Sequence, residues 1–472
     1  MLFNSFDFLV FFPLVCAAYF ALGCNRLRNP FLLAASYFFY MSWKPVYALL
    51  LLGVTLVSYT SARMIENSRC NRKAILAVTV AVILSVLYFF KYASFVNKAV
   101  SYALSLAGFS WTVHGMDILL PVGVSFYTLQ SIGYCADVYK CKIRAERNFI
   151  TYALFLSFFP QLVAGPVERA SNLLPQFHSE HEFNYGSAVA GFKQMLWGFF
   201  MKLCVADVLA GYVNAVYDNY TSHSGITLIL AAVFFSFQIY GDFAGYSNIA
   251  IGAARVMGFR LMDNFNRPYL SPTVGEFWRR WHISLSSWLK DYVYIPMGGS
   301  RVSYRRYVLN ILVTFVLSGV WHGAGFGFLI WGLLHGLWLV TERLAYGNRS
   351  PQWNGSGLGK AVSIFFSFCV VTLFWVFFRV HNPVDAVGII GRMFTQSGPL
   401  FVSEDRIQRI LCYGTVSLAI LSGKEIKDSL GLKFSLLDSS HKWVRYAAVA
   451  GLVCYILLFG SLDGAQFVYF QF

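Results

Sequence analysis

The chain has 472 residues, of which 57% are hydrophobic, 18% aromatic and only 12% charged. A soluble globular domain carries roughly 25% charged residues, so these proportions exclude an ordinary soluble domain. The net charge of +15 would point to nucleic acid in a soluble chain; here it reads as basic residues filling short cytoplasmic loops, and no nucleic-acid partner is expected.

In chain order, charge-free runs occupy Phe8–Asn25, Pro30–Trp43, Pro45–Ala62, Ala74–Phe90, Ile118–Ala136, Phe149–Val167, Asn219–Gly241, Tyr307–Thr341, Ala361–Phe378, Ile410–Gly423 and Tyr446–Leu462. A spanning helix needs about 17–25 apolar residues. Most of the runs reach that length once interfacial Trp, Tyr and Lys are counted at their ends; the shortest are expected to be re-entrant or half-spanning. The first run follows Asp7 without a basic leader or a small-residue cleavage site, so it is read as a retained helix. Arg26 and Arg28, then Arg63, Arg69, Arg72 and Lys73, then Lys140, Lys142, Arg144 and Arg147 form basic loops two segments apart. Putting all three on the cytoplasmic side places the N-terminus in the periplasm.

Cys16, Cys135, Cys204, Cys369 and Cys454 lie in apolar stretches with no CxxC spacing, which favours packing over disulfides or zinc. There is no linker, low-complexity tract or clear repeat, so residues 1–472 read as a single helical membrane domain.

Two regions stand out. In Gly275–Pro296, Phe277, Trp281, Leu285, Trp288 and Tyr292 recur at helical spacing among Arg279, Arg280, Lys290 and Asp291. This mixture predicts an interfacial or re-entrant amphipathic helix, with Trp278, His282 and Ser286 on one face. The other region, Tyr307–Thr341, holds 35 residues without a formal charge. As one helix it would be roughly 52 Å long, beyond the roughly 30 Å hydrocarbon core. It must therefore break, and Gly323, Gly325 and Gly327 mark the place, just after His322. Irregular backbone at that depth has to be buried in protein or line a watery cavity.

Of nine histidines, His114, His178, His181, His223, His381 and His441 lie in polar loops or at segment ends and read as surface residues. His335, 13 residues beyond His322 and on another helical face if the helix is continuous, reads as a structural hydrogen-bonding group. His282 and His322, each preceded by Trp and each at an irregular segment, are the functional candidates, because an ionisable group inside the membrane is a functional hypothesis by default. Neither sits in an HxxxH or HxxE pattern, so no metal is expected. Nucleophile-elbow and phosphate-loop motifs are absent too. Proton abstraction by neutral imidazole is the simplest chemistry left. Glu168, Arg169 and Asp242 also lie in apolar settings, and structural pairing is expected for each.

WRRWHISLSSWLKDYVYIPMGGSR (Trp278–Arg301) and GVWHGAGFGFLIWGLLHG (Gly319–Gly336) resemble the membrane-bound O-acyltransferase (MBOAT) family, most closely its bacterial alginate O-acetyltransferase branch. Leu119–Tyr139, Phe158–Arg169, Phe237–Gly252 and Asn264–Tyr269 add to the likeness, which covers nearly the whole chain. The resemblance implies an all-α polytopic integral membrane protein of about a dozen transmembrane or re-entrant helices around a central tunnel. It implies acyl transfer to a hydroxyl, with acetyl-CoA as donor substrate and no bound cofactor. It makes His322 the general base or the group that orients the acyl carbonyl, and His282 a supporting group in the tunnel. Trp281, Trp321 and Asp291 are the accompanying substrate-binding candidates. The terminal Phe467–Phe472 segment resembles the tyrosine-bearing tail of a small partner in teichoic-acid D-alanylation, so Tyr469 is read either as an acetyl carrier or as an aromatic anchor.

The implied activity is acetyl transfer across the bacterial inner membrane for O-acetylation of an exported polysaccharide. Alginate is favoured; cellulose, another exopolysaccharide or peptidoglycan are the alternatives. A periplasmic or membrane-anchored acetyltransferase partner would finish the transfer. A proton-coupled transporter and a non-catalytic scaffold are the remaining readings.

Overall fold

A computed structural model describes residues 1–109, 120–163, 165–347, 357–380, 382–402 and 405–462. Tyr469, His114 and His381 lie outside the described residues. No strand occurs among the described residues, and seven helices are long and apolar enough to cross a membrane. These are Tyr47–Asn67, Arg72–Leu106, Tyr185–Tyr217, Gly225–Val256, Phe326–Tyr346, Gly357–Arg379 and Lys442–Phe459. The protein is therefore a multi-pass, all-α membrane protein. Its residues sort into two compact units.

The first unit comprises Met1–Gly191 and Ala253–Met262. Its opening helix, Phe6–Ala21, is capped by Ser5, whose hydroxyl accepts from the Phe8 amide. At the other end, buried Arg28 donates to the Tyr19, Leu22 and His181 carbonyls. The sequence reading placed Arg28 in a basic loop, but its guanidinium is spent on helix-end carbonyls that have no intrahelical partner.

Val124–Tyr139 is a helix buried along nearly its whole length. One expected crossing turns out differently: Phe149–Val167 breaks into the short helices Phe149–Ser157 and Phe159–Leu162. Pro160 cannot continue the first of these. The Gln161 amide satisfies a freed carbonyl, that of Phe155, at 2.7 Å. The pairing expected for Glu168 is present: it accepts from the Met262 amide and from Asn172. Burial pushes the Glu168 carboxyl up to about 7.

The second unit comprises Phe192–Gly252 and Asp263–Phe472. Its core is aromatic, with Phe277, Trp281, Trp331 and Trp375 nearly inaccessible. The run Tyr307–Thr341 breaks where its glycines predict. Helix Tyr304–His322 ends, and Phe326–Tyr346 begins and packs back against it. A Cβ at Gly319 would lie 2.2 Å from the Phe328 carbonyl oxygen, and one at Gly332 would lie 2.3 Å from that of Phe315. Only glycine permits this approach.

Candidate active site

The expected single helix over Gly275–Pro296 is instead two helices, Val274–Arg280 and Ile283–Leu289, followed by a π-helical turn, Lys290–Tyr294. Thr273 caps the first helix by accepting from the Glu276 amide. Between the helices Trp281 is extended, and His282 adopts the left-handed conformation at φ 44°, ψ 52°. Trp278, His282 and Ser286 therefore do not share one helical face.

The cause of the break lies upstream, at Asn264. Its carbonyl accepts from the Ile283 amide at 2.9 Å. Its side-chain Oδ1 accepts from the Ser284 hydroxyl at 2.9 Å, from the Ser284 amide at 3.4 Å and from His282 Nδ1 at 3.0 Å. The Asn266 amide bonds the Arg280 carbonyl at 2.9 Å. These bonds replace the helical ones and hold a backbone conformation that costs a non-glycine residue about 1–3 kcal/mol.

His322 closes its helix just before the extended Gly323. Its ring centroid lies 6.1 Å from that of His282, 4.8 Å from Trp321, 5.2 Å from Trp331 and 5.3 Å from Phe378. Both histidines are buried. The break over 323–325 and the clamp at Asn264 thus bring together two imidazoles 40 residues apart in the chain.

The other sequence candidates fall as follows. Trp321 joins the site, 5.7 Å from the His282 ring. Trp281 lies in the aromatic core, stacked on Phe277 and tilted against Trp375. Asp291 is half-buried in the π-helical turn. His335 makes the structural bond expected of it: Trp278 Nε1 donates to its Nδ1 at 3.1 Å. It does so from a separate helix, with Trp331 centroids 5.0 Å away on one side and Trp331 also 5.2 Å from His322, so counting along one continuous helix misplaced it.

Asp242 is paired, as expected, but through a residue that sequence reasoning missed. Lys202, in the π-helical turn Phe200–Ala206, lies 2.7 Å from both Asp242 and Asp207. The signal was available as a lysine and an aspartate five residues apart inside an apolar segment. Asn264, Ser284 and Ser247 were missed as well; the Asn264 amide donates to the Ser247 hydroxyl at 3.1 Å.

The same unit holds a cavity of about 500 Å³, a size ordinary for a small-molecule site, whose lining does not include His282 or His322. Its walls include Ile283, next to His282, and Ser318, one helical turn before His322, with Arg279 and Lys290 also on its lining. Among the described residues no group of three His, Cys, Asp or Glu side chains could hold a metal ion.

Residues 142–379 match the model of MBOAT, the membrane-bound O-acyltransferase family. A probable alginate O-acetylase of Pseudomonas aeruginosa is 40% identical over 402 residues, covering 84% of this chain and 75% of the relative. The chain belongs to the membrane-bound O-acyltransferase family. A peptidoglycan O-acetyltransferase of Helicobacter pylori is 33% identical, covering 100% of this chain and 98% of the relative. A teichoic acid D-alanyltransferase of Bacillus subtilis is 26% identical over 50% of this chain and 61% of its own length. As a member of the MBOAT family the protein is an acyltransferase, and the matched residues include His282 and His322.

Proposed function

We propose that this MBOAT protein transfers acetyl groups from a cytoplasmic thioester, acetyl-CoA, across the bacterial inner membrane for O-acetylation of an exported polysaccharide. The observation that carries the reading is the pair of buried imidazoles, His282 and His322, facing each other at 6.1 Å at two helix breaks. His322 takes the hydroxyl proton or orients the acyl carbonyl, and His282 supports it. Trp321 and Trp281 shape the site, and Asp291 contributes to binding. The likeness to an alginate O-acetylase over 84% of the chain favours alginate as the acceptor.

A second acceptor, peptidoglycan, is favoured by a different observation, the end-to-end match to the Helicobacter relative. The family match runs through residues of both compact units, which supports treating residues 1–472 as one catalytic domain; the spacing of the basic loops supports a periplasmic N-terminus. A periplasmic or membrane-anchored acetyltransferase completes transfer to the polymer, and Tyr469 holds the acetyl group in transit.

His322→Ala tests the site: acetylated polymer disappears while the variant remains folded in the membrane, and normal acetylation would overturn the assignment. Tyr469→Phe keeps an aromatic anchor and removes the hydroxyl, so unchanged acetylation in that variant disposes of the carrier role.

A further inference from the structure

His322 sits among Trp321, Trp331 and Phe378. The His282 ring makes a directed hydrogen bond to Asn264. The atom of Asn264 that meets it also meets the Ser284 backbone amide, and a backbone N–H can only donate. That atom is therefore the carbonyl oxygen Oδ1, and the Asn264 amide group points the other way, toward the Ser247 hydroxyl. Facing an acceptor, His282 must carry its proton on Nδ1. Its Nε2 then bears a lone pair, and that atom is buried with no hydrogen-bond partner. A buried acceptor left open costs about 1–3 kcal/mol, and the left-handed backbone adds its own strain. Two unfavourable features on one residue, beside a second imidazole, mark a group kept ready for a ligand atom.

From this geometry we infer that Asn264 is a positioning residue for acyl transfer: it fixes the His282 tautomer so that Nε2 accepts the proton of the substrate hydroxyl.

This inference rests on the acyl-transfer reading and divides the labour within it. The ring centroids lie 6.1 Å apart, close enough for one acyl-transfer complex to touch both imidazoles. As the hydroxyl oxygen bonds to the acyl carbon of a thioester, its proton passes to His282 Nε2. His322, across the gap, then orients the acyl carbonyl. The carbon–sulfur bond breaks, and the thiolate takes the proton back from His282. Imidazole, base and orienting carbonyl form the arrangement by which a positioned base is generally held.

The groups facing this cluster are Phe243 and Ser247 from Gly225–Val256, Ser284 from the turn itself, and Trp321 and His322 from Tyr304–His322. His322 is the titratable one among them.

The test uses full-length protein in lipid nanodiscs, labelled with 15N-histidine. The His282 signals, assigned by their loss in His282→Asn, should show a protonated Nδ1 and a bare Nε2. Asn264→Leu should abolish that preference, and Asn264→Asp should preserve it. A proton on Nε2 in the wild type, or a tautomer unchanged by Asn264→Leu, overturns the inference. This measurement needs no donor, so failure of wild-type protein to use acetyl-CoA would count against the proposed donor alone.

In membranes of the producing bacterium, which hold the partner and the polymer, Asn264→Leu should lower the rate of transfer from radiolabelled acetyl-CoA by about 10²–10⁴-fold with KM for acetyl-CoA little changed. Asn264→Asp should stay active, with the acid limb of its pH–rate profile moved upward by about 1–3 pH units, because a carboxylate beside Nδ1 favours the imidazolium. An Asn264→Asp profile superimposable on wild type also overturns the inference, since a purely structural Asn264 would leave the limb in place.

Discussion

His282 and His335 are both fully buried in the same unit, yet they carry opposite tautomers. His282 Nδ1 faces a carbonyl oxygen and donates, which leaves Nε2 a bare acceptor. His335 Nδ1 faces the Trp278 indole N–H and accepts, which puts its proton on Nε2. Phe374 stands nearly perpendicular to the His335 ring, 4.9 Å between centroids, an aromatic neighbour that tolerates an N–H far better than it would a lone pair. Burial and residue type are the same in the two cases. The first neighbour decides whether the imidazole offers a base or simply fills the core.

The comparison can be broken most severely at His282 itself. His282→Asn keeps a residue that tolerates the left-handed backbone and removes the base. Acetyl transfer should fall about 10²–10⁴-fold with thermal unfolding little changed, and retained turnover would end the distinction from His335.

Lys202 supplies a buried charge with two carboxylates at 2.7 Å and the Tyr246 ring centroid at 5.5 Å. Lys202→Met should destabilise the protein by about 3–5 kcal/mol, read as a lowered unfolding temperature in detergent. Adding Asp207→Asn and Asp242→Asn should recover part of the loss, and no recovery would show that the ammonium is not held by this pairing.

At His335, Trp278→Phe removes one donor and should cost about 1–3 kcal/mol with kcat preserved; a collapse of kcat at unchanged stability would move His335 into the active site.

A pH-dependent effect is expected at Glu168, outside the candidate spans. Its carboxyl titrates near 7 when folded against a usual value of 4.5, so the native state holds the proton more tightly than the unfolded chain. The resulting stability is full below the unfolded value and fades as pH rises through the folded one. Unfolding temperature should decline between about pH 4.5 and pH 7, and Glu168→Gln should flatten that slope; a slope unaltered by the substitution would assign it to other groups.

Much of this was readable in the chain before any coordinates. The break after His322 was visible because glycines do that work locally, and a charge-free run of 35 residues cannot cross once. The break at His282 was not visible. Neither glycine nor proline stands at 281 or 282, and the helical spacing of Phe277, Trp281 and Leu285 continues straight through it. The interruption is imposed by Asn264, 18 residues upstream, and local propensity says nothing about such a bond.

The Val124–Tyr139 segment was legible only in part. An apolar sequence reports that water is excluded, and it does not report whether lipid or protein does the excluding. Lys202 was overlooked because one cation in an apolar segment barely alters its average. Its partner Asp242 was noticed as a charge in an apolar setting, without the cation that pairs with it.

The backbone at position 282 also narrows what substitution can sample there. Among non-glycine side chains, Asn, Asp and His are the ones enriched in left-handed geometry. Of those three, only histidine titrates close to neutrality. The Asn264 clamp therefore acts as a filter on heritable variation: while it persists, the residues that fit the turn comfortably form a short menu, and a base suited to neutral pH occurs in it once.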